Sequence, residues 1–158
     1  MAELTHFDNN GNAHMVDISE KQISFRIAKA ACSVHMSLET LKIISDGSAK
    51  KGDVLSVARI AGIQGAKRTS ELIPLCHPIS LTKVNLDFIL NEKLPGIEII
   101  ATAKTTGPTG VEMEALTAAG VSALTVYDMV KSLDKSLIIK NLRLILKDGG
   151  KSGRYESS

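Results

Sequence analysis

The chain has few of the residues that build disulfide scaffolds, zinc sites and base-stacking surfaces. Its two cysteines, Cys32 and Cys76, are too few for a disulfide framework or a four-thiolate zinc site, and they predict a reducing, cytoplasmic compartment. Tryptophan is absent and aromatic residues make up 3% of the 158 residues, so platforms for stacking bases are scarce. Any bound nucleotide is therefore expected to be a small molecule and not a nucleic acid.

Long apolar runs and a strong charge of one sign are also missing. No run approaches the roughly 18 consecutive apolar residues that a membrane helix needs, so no membrane partner is expected. Residues 1–20 contain Glu3, Asp8 and Asp17 and no apolar segment, which predicts that there is no secretory signal. The net charge is +2, from 19 basic and 17 acidic residues, and this balance argues against a nucleic-acid coat.

The composition that remains is typical of one globular domain. Apolar residues make up 44% of the chain, and a chain of this length buries roughly 68–70% of the surface that its unfolded form exposes. We predict a single domain over residues 1–158. Its polar entry, residues 1–12, and its Gly/Ser/Lys-rich tail, residues 148–158, are expected to be flexible.

Hydrophobic periodicity and turn residues predict alternating strands and helices. The expected strands cover residues 14–19 (short), 24–36, 79–90, 97–105 and 136–147. The expected helices cover residues 37–45, 53–68 and 109–133. Residues 24–36 also contain alanines that favour a helix, but their β-branched and aromatic residues favour a strand. The main order β-α-α-β-β-α-β predicts an α+β fold, a ferredoxin-like antiparallel sheet with helices packed on one face.

The predicted helix over residues 109–133 is the most informative segment. Thr109 and Glu112 have the spacing of a capping box, in which each side chain accepts a backbone N–H of the first turn. One stripe along this helix is expected to face the core: Met113, Leu116, Gly120, Ala123, Tyr127 and Val130. The neighbouring stripe mixes charged with apolar residues: Glu114, Thr117, Val121, Leu124, Asp128 and Lys131. Charged side chains on such a stripe indicate a candidate site.

Asp128 and Lys131 are spaced so that their side chains can meet on a helix. They form either a surface ion pair or an acid/base pair in a partly dry cleft, and the spacing alone does not decide between these interpretations. Glu114 is either a carboxylate stabilised by the helix dipole or an acceptor for the N–H edge of a guanine-like ring. Lys51 precedes a helix and is either solvated or a phosphate contact at the helix N-terminus.

Residues 71–78, ELIPLCHP, form a second unusual segment. Its two prolines favour an extended backbone, in which Cys76 and His77 point to opposite sides, so a catalytic Cys-His dyad is not expected. No other histidine has a ligand spacing with Cys76, which argues against a metal site. His77 remains either a phosphate or hydroxyl contact or a structural histidine. The tail sequence GGKSG at residues 149–153 is either flexible or a lid that orders over phosphates.

Five segments together resemble the cyclic pyranopterin monophosphate synthase family, the MoaC family of molybdenum cofactor biosynthesis. They follow one another in order from residue 4 to residue 153: LTHFDNNGNAHMVDIS at 4–19, KGDVLSVARIAGIQGAK at 51–67, ELIPLCHP at 71–78, TGVEMEALTAAGVSALTVYDMVK at 109–131 and GGKSG at 149–153. The resemblance implies a ferredoxin-like fold and a homohexamer built as a trimer of dimers. It also implies conversion of 3′,8-cyclo-7,8-dihydro-GTP into cyclic pyranopterin monophosphate with release of diphosphate, without a metal or an organic cofactor.

The resemblance also implies roles for individual residues. Asp128 matches the catalytic acid, Lys131 its lysine partner and Lys51 a second catalytic lysine. The implied substrate-binding residues are Leu75, Cys76, His77, Met113 and Glu114, with Arg26, Lys67 and Lys147 facing the triphosphate. Two competing hypotheses belong to other classes: a non-catalytic module that binds a purine nucleotide and regulates a partner, and a purely structural subunit of an oligomer.

The length of the predicted helix adds one expectation about the assembly. Glu114 and Asp128 are 14 residues apart, or about 21 Å along a helix at 1.5 Å per residue. A folded GTP-sized ligand is not expected to span this distance. We therefore predict that the two ends of the helix serve different copies of a site that lies between subunits.

Overall fold

The computed structural model describes residues 5–157 and contains five strands and four helices. The strands are β1 (Ser24–His35), β2 (Leu81–Asn91), β3 (Gly96–Gly107), β4 (Ile138–Asp148) and β5 (Tyr155–Glu156). The helices are α1 (Leu38–Ser45), α2 (Val54–Lys67), α3 (Thr69–Leu72) and α4 (Glu112–Val130). No helix in this part of the chain is both long and apolar enough to cross a membrane.

All five strands form one antiparallel sheet in the order β2-β3-β1-β4-β5. The helices pack against this sheet, which confirms the α+β ferredoxin-like fold. The predicted strand over residues 24–36, the hairpin of β2 and β3, and the last long strand are likewise confirmed. Two short elements, α3 and β5, were not predicted, because elements of four and two residues are too short to show a periodicity.

Small side chains allow α4 to lie close to both the sheet and α2. The fully buried alanines are Ala28 and Ala30 in β1, Ala101 and Ala103 in β3, and Ala115, Ala118, Ala119 and Ala123 in α4. A Cβ at Gly62 would collide with the hydroxyl of Ser122 and lie 2.9 Å from the carbonyl oxygen of Ala118. Ser122 donates a hydrogen bond of 2.9 Å to the carbonyl of Ala58 across the same contact. Gly62 of α2 therefore allows the close packing of this helix against α4.

Helix caps explain two of the predicted helix starts. The side chain of Ser37 accepts the N–H of Thr40 at 3.1 Å and begins α1, and the side chain of Asp53 accepts the N–H of Ser56 at 3.0 Å and begins α2. The predicted strand over residues 14–19 is wrong. This segment forms no strand, and the nearby pairing is one isolated bridge between Phe7 and Ala13. Asp17 instead accepts the N–H of Ser19 in a tight turn, which competes with strand pairing.

The predicted start of the long helix is wrong, and its predicted core stripe is right only for Ala123 and Val130, which are fully buried. Its first residue is Glu112, its N-cap is Val111, and no side chain caps it. The supposed core residues Met113 and Tyr127 are each 36% exposed, whereas Glu114 is buried. The buried face of α4 consists mainly of alanines and Ser122, which allow close packing against α2, whereas the larger Met113, Leu124 and Tyr127 stay exposed.

Candidate active site

Charged side chains gather around the last turn of α4. The carboxylate of Asp128 lies 2.7 Å from Lys131 Nζ and 3.7 Å from Lys51 Nζ. Lys131 is the C-cap residue of α4, one turn beyond Asp128. Lys51 belongs to the loop between α1 and α2, and its Nζ also donates a hydrogen bond of 3.0 Å to the backbone carbonyl of Asp128. The structure therefore brings together the three residues that were predicted to be catalytic, and we call them the lysine–aspartate cluster.

The two lysines fix the charge state of this cluster. The hydrogen bond and the positive charge of Lys131, followed by the charge of Lys51, lower the pKa of Asp128 below its usual value. The hydrogen bond to Asp128 and its negative charge raise the pKa of Lys131. At neutral pH, Asp128 is therefore a carboxylate and Lys131 is an ammonium. The side chain of Asp128 is 61% exposed in the single chain, so a ligand can reach it.

A buried carboxylate lies near the other end of the same helix. Glu114 is 3% exposed, and burial raises its pKa to about 7, with a smaller contribution from the negative charge of Glu112. Burial also raises the pKa of the Cys76 thiol, and the charge of Glu114 raises it further. The structure thus places Cys76 and Glu114, two predicted substrate-binding residues, close enough for the charge of Glu114 to act on the thiol. A protonated thiol at Cys76 is a poor nucleophile.

An ion pair beside this carboxylate was missed by the sequence reasoning. Lys147 Nζ lies 3.1 Å from a carboxylate oxygen of Glu112 and joins β4 to the first turn of α4. The predicted capping box had assigned Glu112 a purely local role. The signal that could have found the pair is the position of Lys147 near the end of β4, but pairing between distant strands and helices is not visible in local spacing.

Arg26 connects the same region to the end of β3. Its Nε donates a hydrogen bond of 3.0 Å to the carbonyl of Gly107, and its Nη2 donates one of 3.2 Å to the carbonyl of Pro108. Arg26 and Lys147 line one cavity of about 200 Å³ together with Glu112. Two of the three residues that were predicted to face a triphosphate are therefore neighbours.

Four predicted site residues remain: Leu75, His77, Lys67 and Met113. His77 Nε2 is 2.7 Å from the carbonyl oxygen of Val16, so one ring nitrogen donates to the entry segment of the chain. Leu75 is partly exposed and Met113 is 36% exposed. Lys67 lies exposed in the last turn of α2, and within residues 5–157 it forms no ion pair that joins it to either end of α4.

The site residues thus form two groups, one at each end of α4. The lysine–aspartate cluster lies around its last turn, and a second group lies around its first turn; we call the latter the glutamate end: Arg26, Cys76, Glu112, Glu114 and Lys147. The continuous helix from Glu112 to Val130 keeps Glu114 and Asp128 about 21 Å apart along its axis. Over the described residues, no group of three or more His, Cys, Asp or Glu side chains is arranged to hold a metal ion.

The fold and these two charged groups define a ferredoxin-like α+β protein with polar site residues at both ends of one helix. Comparison with protein families matches residues 15–150 to the MoaC family, and the chain belongs to that family. It is 59% identical over 157 residues to the cyclic pyranopterin monophosphate synthase of Jannaschia sp. (strain CCS1), covering 99% of this chain and 96% of that protein.

Two further relatives agree with this assignment. The chain is 59% identical over 158 residues to the cyclic pyranopterin monophosphate synthase of Cereibacter sphaeroides (strain ATCC 17029 / ATH 2.4.9), covering 100% of this chain and 99% of that protein. It is also 59% identical over 157 residues to the protein of the same name from Dinoroseobacter shibae, covering 99% of each chain.

Proposed function

We propose that the chain is a cyclic pyranopterin monophosphate synthase. It would convert 3′,8-cyclo-7,8-dihydro-GTP into cyclic pyranopterin monophosphate and release diphosphate, as a phosphorus–oxygen lyase of the cytoplasm. The observation that carries this proposal is the contact of Asp128 with both Lys51 and Lys131. This contact gives the chain a candidate acid/base centre. Relatives that are named cyclic pyranopterin monophosphate synthase match the chain over 96% and 99% of their own length.

The lysine–aspartate cluster supplies one base and one acid for general acid/base catalysis. The ion pair lowers the pKa of Asp128 and raises that of Lys131, so the substrate must break this pair before Asp128 accepts a proton and Lys131 donates one at neutral pH. A positioned acid or base contributes about 10²–10⁴-fold to a rate. We assign the proton transfers of the ring rearrangement to this cluster, with Lys51 stabilising negative charge that develops beside Asp128.

The glutamate end is proposed to hold the purine-derived part of the substrate and its phosphates. Glu114 is buried, and its carboxylate can accept hydrogen bonds from donors on a guanine-like ring. Such donors favour the ionised form, so binding near pH 7 should release a proton from Glu114. Arg26 and Lys147 lie beside Glu112 and can contact the first phosphate.

The distance between the two groups supports a site shared by subunits. One ligand of GTP size is not expected to bridge about 21 Å along one helix. We propose that the glutamate end of one chain meets the lysine–aspartate cluster of another chain, within a homohexamer built as a trimer of dimers. Neither a metal nor an organic cofactor is part of the proposed reaction.

Incubation of the purified chain with the cyclised GTP tests the proposal. The expected result is equal molar release of diphosphate and cyclic pyranopterin monophosphate. Binding without diphosphate release would favour the non-catalytic nucleotide-binding module. A purely structural subunit would show neither turnover nor the stabilisation of about 2.7 kcal/mol that a ligand gives at 100 times its Kd.

A further inference from the structure

One carboxylate outside the two described groups is buried and hydrogen-bonded through both of its oxygens. Asp134 lies in the segment between α4 and β4 and is 8% exposed. Its Oδ1 accepts the N–H of Ser136 at 2.7 Å and the hydroxyl of Ser136 at 2.6 Å. Its Oδ2 accepts the N–H of Ser37 at 2.7 Å. Asp134 thus links the segment after α4 to the residue that begins α1, and it has no role in the reaction proposed above.

These hydrogen bonds keep Asp134 ionised. The hydroxyl of Ser136, followed by the N–H of Ser37, lowers the pKa of Asp134 below its usual value, and the opposing effect of burial is smaller. The side chain is therefore an acceptor at the neutral pH of an enzyme assay. A neutral amide has only one acceptor oxygen, so asparagine could satisfy only part of this set of donors.

The first segment that Asp134 holds is the turn that contains Lys131. The N–H of Lys131 donates to the carbonyl of Tyr127 at 2.9 Å. The N–H groups of Leu133 and Asp134 both donate to the carbonyl of Val130, at 2.9 Å and 3.2 Å. The backbone from Lys131 to Asp134 is therefore fixed at both ends, and this fixes the point from which the side chain of Lys131 extends.

The second segment that Asp134 holds is α1, which leads to Lys51. Ser37 is the N-cap of α1. After the helix, the N–H of Ser48 donates at 3.1 Å to a carbonyl in its last turn, and Ala49 is buried in the core. The loop is therefore folded back on α1, and Lys51 follows two residues after the buried alanine. Because the loop is tied to the helix, a shift of α1 would also move Lys51.

We propose that Asp134 is a positioning residue that places both lysines of the lysine–aspartate cluster on Asp128. This inference rests on the proposed function, in which that cluster carries out the proton transfers. Asp134 joins the turn of Lys131 to the helix before Lys51, and the two Nζ atoms converge on the carboxylate of Asp128 at 2.7 Å and 3.7 Å. A misplacement of about 1 Å can lower a rate by about 10²-fold.

Steady-state kinetics on cyclised GTP test the proposal. Asp134→Ala removes both links, so kcat should fall by about 10–100-fold. KM should stay within about twofold, because the glutamate end that is proposed to hold the substrate is unchanged. Asp134→Asn keeps one acceptor oxygen, so its kcat should lie between those of the wild type and Asp134→Ala. Wild-type kcat in both variants, or an effect on KM alone, would overturn the proposal.

The matched control is Ser37→Ala, which removes the cap of α1 but keeps the N–H that donates to Asp134. The side chain of Ser37 accepts the N–H of Thr40 at 3.1 Å, so this variant should melt at a lower temperature, as after the loss of any helix cap. At a temperature where it is folded, its kcat should stay within about twofold of the wild type. If Ser37→Ala loses as much kcat as Asp134→Ala, the effect is a general structural one and the proposal fails.

Acetylation by acetic anhydride, measured by mass spectrometry, tests the placement of the lysines without any turnover. In Asp134→Ala, Lys51 and Lys131 should be labelled about two- to fivefold faster than in the wild type, the effect of releasing a surface ion pair. Lys50, an exposed lysine of the same loop, is the internal control and should react at an unchanged rate. An equal rise at Lys50, or no rise at the two cluster lysines, would contradict the proposal.

The two measurements separate this inference from the proposed function. Faster labelling of Lys51 and Lys131 in Asp134→Ala, beside a wild type that releases no diphosphate from cyclised GTP, would keep the placement of the lysines by Asp134 and overturn the function. A wild type that releases diphosphate, beside an Asp134→Ala variant with unchanged kcat and unchanged labelling, would keep the function and overturn the inference.

Discussion

Lys51 donates a hydrogen bond of 3.0 Å to the backbone carbonyl of Asp128, and its Nζ also lies 3.7 Å from the carboxylate of that residue. These residues are 77 positions apart in the chain. The contact depends on α2 packing along α4, which brings the loop before α2 to the last turn of α4. A lysine held by a main-chain carbonyl keeps its position even if the carboxylate of Asp128 accepts a proton.

We predict that Lys51→Ala lowers kcat by about 10²–10⁴-fold, the usual range for a positioned catalytic group. The matched control is Lys50→Ala, because Lys50 is the neighbouring exposed lysine of the same loop and forms no described ion pair. Steady-state kinetics on cyclised GTP make the comparison. Equal rates for the Lys51→Ala variant and the wild type would remove Lys51 from the reaction.

We predict that Glu114→Gln changes how stability depends on pH. The pKa of Glu114 is about 7 in the folded chain and 4.5 in the unfolded chain, because burial favours the protonated carboxyl. The contribution of this group to the free energy of unfolding is therefore fully present below pH 4.5. That contribution is lost as the pH rises through 7, by up to about 3 kcal/mol. The variant lacks this titration. Denaturant unfolding at pH 4.5 and pH 8 should therefore show the wild type losing stability relative to the variant, and parallel curves would contradict the raised pKa.

We predict that two inactive variants recover activity when their subunits exchange. If the site joins the glutamate end of one chain to the lysine–aspartate cluster of another, mixing Asp128→Asn with Glu114→Gln should restore about a quarter of the sites. Mixing Asp128→Asn with Lys131→Ala is the control, because both defects lie at the same end and no intact site can form. Recovery in neither mixture, after subunit exchange has been demonstrated by mass spectrometry, would count against a shared site.

We predict opposite stability effects for alanine at two helical glycines. Gly62→Ala should destabilise the fold by about 1–3 kcal/mol, because its Cβ would collide with Ser122 and Ala118. Gly120→Ala should stabilise it by about 0.5–1 kcal/mol, because its Cβ would make an ordinary 3.5 Å contact with Leu142 and alanine favours a helix. Thermal unfolding of both variants makes the test, and equal effects would contradict the packing described between α2 and α4.

Local chemistry explains how much of the fold could be predicted. The caps at Ser37 and Asp53 involve neighbouring residues, so the sequence placed α1 and α2 correctly. Thr109 and Glu112 matched the same kind of local pattern, but a distant lysine, Lys147, pairs with Glu112 instead. Long-range pairing of this kind depends on the tertiary fold, so the spacing of residues along the sequence does not reveal it.

The candidate site was predictable in part for the same reason. The pair of Asp128 and Lys131 follows from helical spacing, whereas the contact of Lys51 with Asp128 rested on the family resemblance. The prediction that Met113 and Tyr127 lie in the core was wrong. Because α4 packs against two surfaces, small alanines fill the buried positions and these larger side chains stay exposed. A cavity of about 550 Å³ is lined by Lys21 from the first part of the chain and by Lys151 from its last part. Neither segment alone could predict this cavity.

The proposed function requires that this chain releases diphosphate from cyclised GTP through Asp128. The most direct measurement is the yield of diphosphate and cyclic pyranopterin monophosphate from wild type and Asp128→Asn, alongside calorimetric binding of the cyclised GTP. We expect equal molar products from the wild type, and bound substrate without turnover in the variant, because an amide cannot accept the proton that the carboxylate accepts. Full product formation by Asp128→Asn, or none by the wild type, would contradict it.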